Sequence, residues 1–315
     1  MATAAAATTL RLGTRGSPLA RWQSGWVAQR LAALHPGLAV ELVEIRTQGD
    51  RDRNSPLAAI GGAGVFTKEI QRALIDGRVD LAVHSLKDLP TDGPIELALG
   101  AVPQREAVAD ALIAPRARTL DALPAGATVG TGSLRRRAML LHARPDLRVV
   151  GVRGNVETRL REASEGRLDA VVLAGAGLNR LGLEGRVTEM LGPPRFLPAV
   201  GQGALGVECR ADDPATIALL AALDDPATRR AVLAERALLA ALGGGCLVPL
   251  GAWSRAAADG ENLAIDAVVY DPDGRDRRAA ALVGPADDPE GLGRRVAALL
   301  IEAGARELMV GPPAG

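Results

Sequence analysis

Short apolar runs alternate with helix-period stretches through the first two-thirds of the chain. LRLGT (10–14) reads as a strand, SPLARWQSGWVAQRLAAL (17–34) as a helix and LAVELVEIR (38–46) as a strand. FTKEIQRALIDG (66–77) returns to helical spacing, and VDLAVHS (79–85) is a continuous apolar strand. Such alternation predicts α/β domains with largely parallel sheets. The last third has another rhythm. A long amphipathic helix, DPATRRAVLAERALLAAL (225–242), precedes strands at 248–255, 262–270 and 276–284 and a closing helix at 288–305. Strands followed by a helix predict a smaller α+β domain.

The α/β pattern occurs twice. GTRGSPLA (13–20) is echoed by GTGSLRRR (130–137), and HPGLAVELVEIR (35–46) by RPDLRVVGVRG (144–154). DGRVDLAVHSLKDL (76–89) is echoed by EGRLDAVVLAGAGL (165–178). Strand-turn-helix units converge on Gly, Thr and Ser anyway, which accounts for one echo but not for an ordered set. The chain therefore reads as two similarly built α/β lobes followed by the α+β domain.

In both copies a strand runs into a Gly-Thr turn and a serine placed to cap the next helix, Ser17 and Ser133. A capped helix start with free backbone N–H groups is an anion site. Arg15 precedes the first cap, and Arg135 and Arg136 lie on the first turn after the second. VRGNVETRL (152–160) is a third junction, with Arg153, Gly154, Asn155 as a cap, and Arg159; Arg180 lies near another. Arginine suits bidentate recognition of carboxylate or phosphate, so several converging on one cleft imply a ligand with many negative groups. A single surface arginine is more often merely solvated. Arg137 should point elsewhere, because three consecutive helical positions spread around the helix.

Composition narrows the function. Net charge is zero and aromatics are 2% of the chain, which argues against nucleic-acid stacking platforms and against a field drawing the protein to nucleic acid or membrane. Two cysteines form no disulfide framework, no metal-ligand spacing is present, and no run has the length to span a bilayer. MATAAAATTLRLG lacks the marks of a signal peptide, so a cytoplasmic location is expected.

Two stretches remain for chemistry. VHSLKDLP (83–90) closes an apolar strand with His84, Lys87 and Asp88, and Lys87 is one of only two lysines. A strand-end Lys-Asp pair is more often solvated than functional. Beside a cation Asp88 stays ionised, able to stabilise a developing positive charge or to shuttle a proton; a Schiff base at Lys87 would require burial. LGGGCLVPL (242–250) presents Cys246 after three glycines. On spacing alone that thiol is a nucleophile, a redox thiol or an accident. Cys209, in ALGVECR, reads as a buried structural thiol, and QGDRDRNSPLAAIGGAGVF (48–66) as a flap.

Together, GTRGSPLARWQ, TQGD, VHSLKDLP, GTGSLRRR, VRGNVETRL, AGLNRLGL, LPAVGQGALGVECR and GGGCLVPLG resemble the hydroxymethylbilane synthase (porphobilinogen deaminase) family, in order, from about residue 10 onward. The resemblance implies two lobes like those of periplasmic binding proteins and a smaller third domain, partitioned as 1–103 with 204–221, 104–203 and 222–315. It implies a transferase that joins four porphobilinogen molecules into hydroxymethylbilane with release of ammonia. The reaction is primed by a dipyrromethane cofactor on a thioether to Cys246. By the same resemblance Asp88 is the catalytic carboxylate, aided by Lys87, and both also face the cofactor with Thr131, Ser133, Arg135 and Arg136. Arg15, Ser17, Gln23, Arg153, Arg159 and Arg180 match substrate-side positions, and Phe66 lies in the cleft region. Ala59 and Ala63 stand where many members carry flap lysines, a departure that removes those contacts. A monomer is expected. The rival readings are a bilobal polyanion-binding protein without catalysis and an enzyme using Cys246 as turnover nucleophile.

Overall fold

The computed structural model describes residues 9–51, 64, 67–243 and 248–310. The chain divides into two compact units, residues 1–104 with 205–229 and residues 105–204 with 230–315.

The first unit begins with strands β1 (Thr9–Thr14), β2 (Ala39–Glu44), β3 (Leu81–Ser85) and β4 (Leu97–Ala101). The second unit continues with β5 (Asp110–Ile113), β6 (Thr128–Gly130), β7 (Arg148–Val150), β8 (Ala170–Ala174) and β9 (Glu189–Leu191). The chain then returns to the first unit as β10 (Leu205–Arg210) and ends in the second with β11 (Leu250–Ala256), β12 (Asn262–Tyr270) and β13 (Arg277–Pro285).

Two five-stranded sheets result, ordered β2-β1-β3-β10-β4 and β7-β6-β8-β5-β9. In each, three neighbouring strands are parallel, and the fourth, β10 or β5, runs antiparallel to both its partners. The sheets are therefore mixed. The expectation of largely parallel sheets holds for the three-strand core of each and fails at β10 and β5, because a short apolar run does not encode direction. The matching strand orders make the duplication a property of the fold.

Its local causes are legible. Ser17 accepts from the Ala20 N–H at 3.3 Å ahead of helix Pro18–Leu34, and Ser133 from the Arg136 N–H at 3.4 Å ahead of helix Leu134–Ala143. Asn155 caps helix Val156–Ser164 through the Thr158 N–H at 2.9 Å. Asp80 accepts from the Arg11 N–H at 2.9 Å, and its counterpart Asp169 from the Thr128 N–H at 2.7 Å, so one aspartate staples the same pair of strands in each lobe. Leu12, Leu31, Leu81, Val207 and Leu220 centre one core; Leu112, Val129, Leu140 and Val172 centre the other. Cys209 is fully buried in the first core, and burial pushes its thiol up to about 11, as expected for a structural cysteine.

The third sheet, β11-β12-β13, is antiparallel and packs on helix Pro289–Glu302. Val268 and Tyr270 of β12 join the hydrophobic cluster of the second lobe. The turn at Asp271–Gly274 meets helix Leu134–Ala143: a Cβ on Gly274 would lie 2.2 Å from the Ala138 carbonyl oxygen, and the residue has φ +71°, so only glycine seats that turn. The closing helix expected at 288–305 is present as Pro289–Glu302, and a second short helix, Ala305–Val310, follows it after Gly304, which has φ +85°. Cys246, Ala59, Ala63 and Phe66 lie outside the described residues, as does most of the expected flap; of 48–66, residues Gln48–Arg51 form a short helix.

Candidate active site

In the first lobe, chemistry-bearing side chains gather at the carboxyl ends of the parallel strands. β3 ends at Ser85 and passes into a single turn of 3₁₀ helix, Leu86–Asp88. Leu86 and Leu89 are buried, which pins the turn on either side and leaves Lys87 and Asp88 half-buried between them. Gly206 of β10 makes room for this: a Cβ there would meet Leu86 at 2.8 Å and Leu99 at 3.0 Å. Arg15, half-buried, occupies the loop between β1 and the helix capped by Ser17. Gln23 is buried on that helix, with Nε2 donating to Ser85 Oγ at 3.0 Å. Its amide is thus committed to the strand end that leads to Asp88.

In the second lobe, positive charge collects at the corresponding strand ends. Arg135 is only 2% exposed, and Arg136 is buried beside it. Both pair with one carboxylate, Asp110 at the start of β5: Arg135 Nη2 donates at 2.7 Å and Arg136 Nε at 2.9 Å. Arg135 Nη1 also donates to the Leu197 carbonyl at 2.6 Å, and Gln202 Nε2 donates to Asp110 at 2.8 Å. Burial alone would raise the Asp110 carboxyl, but Arg135, Arg136 and Gln202 outweigh it and hold the group down at about 2. Two guanidinium groups against one carboxylate leave a net positive charge in a buried place.

Further cations surround the same lobe's strand ends. Thr131 and Ser133 belong to the turn after β6; a Cβ on Gly132 would come within 2.9 Å of the Val152 carbonyl oxygen, so this turn lies directly against the Val152–Gly154 loop. In that loop a buried nitrogen, Arg153 Nη2, has no hydrogen-bond partner. Arg159 Nε donates to the Gly154 carbonyl at 2.9 Å. Arg180 is buried at the end of helix Gly175–Arg180 and donates to the Gly203 carbonyl at 2.6 Å. Its guanidinium is lowered to about 10 by burial, partly offset by Glu106, and remains charged at neutral pH. Arg137 does point away, toward the Val149 carbonyl at 2.9 Å and Asp273 at 3.1 Å.

A buried donor without a partner and an uncompensated positive charge fit a ligand that brings several carboxylates. The predicted residues thus fall into two groups. Arg15, Ser17, Gln23, Lys87 and Asp88 lie in the first unit; Thr131, Ser133, Arg135, Arg136, Arg153, Arg159 and Arg180 lie in the second. Cys246 lies outside the described residues. Sequence reasoning missed Asp110 and Gln202. The signals were an aspartate opening the apolar run DALI and a glutamine between glycines in VGQGALG. Among the described residues no cluster of His, Cys, Asp and Glu could hold a metal, and no helix is long and apolar enough to cross a membrane.

Comparison with known proteins places the sequence in a family. Residues 10–218 match the family described as "Porphobilinogen deaminase, dipyromethane cofactor binding domain", and residues 229–302 match "Porphobilinogen deaminase, C-terminal domain". Porphobilinogen deaminase of Syntrophotalea carbinolica is 49% identical over 300 residues, covering 95% of both chains. That of Roseiflexus sp. is 50% identical over 303 residues, covering 96% of this chain and 99% of its own. Among solved structures, a nutrient binding protein from Burkholderia cenocepacia bound to methionine aligns at 16% identity with a TM-score of 0.44, over 67% of this chain and 90% of its own.

Proposed function

The chain belongs to the porphobilinogen deaminase family, and on that premise we propose how its residues divide the work. The family is a transferase of tetrapyrrole biosynthesis with a dipyrromethane cofactor. In this chain, four porphobilinogen molecules are joined head to tail, each losing its amine as ammonia, and one water cleaves the finished tetrapyrrole from its primer and supplies the hydroxyl of hydroxymethylbilane. Cys246 anchors the cofactor through a thioether, and when bound the cofactor supplies the pyrrole end from which the chain grows.

Thr131, Ser133, Arg135 and Arg136 hold the cofactor's carboxylates. Arg135 and Arg136 act as a pair already oriented by Asp110 and Gln202. Arg15, Ser17, Arg153, Arg159 and Arg180 bind the acetate and propionate groups of incoming substrate. Gln23 serves the same side by holding Ser85. Lys87 adds a cation on the turn that presents Asp88.

Asp88 carries the turnover. Breaking the C–N bond of porphobilinogen expels ammonia and leaves a cation on the pyrrole; a fixed carboxylate beside it lowers the energy of that charge. When the new carbon–carbon bond forms, a proton leaves the attacking carbon, and the same carboxylate can receive it. The domain partition 1–103 with 204–221, 104–203 and 222–315, a monomeric state and a cytoplasmic location complete the reading.

The observations that support it are a partnerless buried Arg153 nitrogen and, in the same unit, a net-positive Arg135–Arg136–Asp110 cluster, a combination suited to a polycarboxylate. Intact-mass measurement tests it. The purified protein is expected to exceed its chain mass by two linked pyrrole units, and Cys246→Ala to lose that increment. An active protein of bare-chain mass would overturn the anchor.

A further inference from the structure

The first lobe's core is built mainly of Leu, Val, Ile and Ala, yet at one place it buries three polar side chains. His84 of β3 and Glu208 of β10 are each 5% exposed, and Gln71 comes from helix Lys68–Ile75. His84 Nε2 lies 3.0 Å from Glu208 Oε2, without the angle of a well-formed hydrogen bond. Gln71 Nε2 donates to both Glu208 oxygens, at 3.1 and 3.2 Å. The register explains the meeting. Ala82 stands opposite Glu208 and His84 opposite Gly206, so His84 and Glu208 are diagonal neighbours on one face of the sheet.

Stability does not account for this cluster. Taking a carboxylate out of water is costly, and well-packed apolar residues often serve as well or better. Its position is more telling. His84 is the penultimate residue of β3; Ser85 follows on the opposite face and is held by Gln23. The strand end is thus fastened by polar groups from both faces immediately before the turn that carries Asp88. The second lobe has Leu173 and Ala174 at the equivalent positions, and its following turn carries Ala176 and Gly177 in place of Lys87 and Asp88. The polar fastening occurs in the lobe that has the carboxylate.

We propose that His84, Glu208 and Gln71 form a positioning cluster that fixes the end of β3 and thereby the orientation of Asp88 during turnover. The inference rests on the reading of Asp88 given above. The test measures porphobilinogen consumption by Glu208→Gln and His84→Leu, with rates normalised to cofactor-bearing protein counted by intact mass. Expected are an unchanged cofactor increment, a KM within about twofold of the parent and a kcat lowered about tenfold or more, since small misplacements of a reacting group are costly. A purely structural cluster would change the yield of folded protein and leave kcat per loaded molecule alone. A kcat within about twofold of the parent would overturn the proposal. Should both variants fail to fold, the milder Gln71→Met decides by the same kcat comparison, with about a threefold loss expected and parental turnover overturning it. Asp88→Asn, run in parallel, separates the two failures: parental turnover there removes the premise, whereas its loss beside unaffected cluster variants removes only the inference.

Discussion

The two lobes are one scaffold used for two purposes. Each has three parallel strands beside an antiparallel fourth, a serine-capped helix after the first strand, and an aspartate stapling the same strand pair. They part at the end of the third parallel strand. In the first lobe β3 leads into Lys87 and Asp88, half-buried on a turn pinned by Leu86 and Leu89. In the second, β8 leads into Ala176 and Gly177, both buried, and the polar character moves to the arginines around Asp110. The difference teaches that one scaffold can end the same strand in a half-buried Lys-Asp turn in one copy and beside a buried arginine cluster in the other, with the fold held constant.

The comparison can be broken most severely at Asp110. Asp110→Asn leaves Arg135 and Arg136 buried without a counter-charge and should destabilise the second unit by about 3–5 kcal/mol, measured by denaturant unfolding. An unchanged midpoint would mean that the arginines are neutralised otherwise. The same carboxylate sets an acid limit. Its folded-state value of about 2 lies below the ordinary aspartate value of 3.8, so its contribution is fully present above 3.8 and is lost as pH falls toward 2. The loss should amount to about 2 kcal/mol in the unfolding free energy followed from pH ~5 downward. Equal acid sensitivity in parent and Asp110→Asn would contradict it.

Gly177→Asp puts a carboxylate at the second lobe's counterpart of Asp88. Because Gly177 is buried, a loss of about 3 kcal/mol is expected, with no gain of function. A stable variant would show that the second strand end could have hosted the carboxylate too. The smallest effect concerns the paired staples. Asp169→Ala removes the acceptor for the Thr128 N–H and should cost about 1 kcal/mol. Asp80→Ala should cost more, because Asp80 also binds the Arg11 and Arg210 side chains. Equal thermal shifts for the two would erase that asymmetry.

Much of this was readable in the chain because it is encoded locally. Ser17, Ser133 and Asn155 cap the helices that their spacing predicts, and the ordered echoes correspond to equivalent strands, turns and staples. Directions of pairing were not readable. β10 and β5 cross antiparallel, and their apolar runs look like those of parallel strands. Nor could local pattern show that Asp110 would meet arginines 25 and 26 residues away, or that Glu208 would lie beneath His84. Those partnerships exist only after the strands are ordered. The stop of the closing helix before Gly304 was visible as a glycine but not as a left-handed one, and the short helix beyond it was not foreseen.

The most direct test of the division of labour is turnover by Asp88→Asn, normalised to cofactor content from intact mass. The account predicts the full cofactor increment, because the charge-collecting residues are untouched. It also predicts a kcat lowered by about a hundredfold or more, because the carboxylate is gone. Asp88→Asn protein that bears the cofactor and still turns over near the parental rate would contradict it.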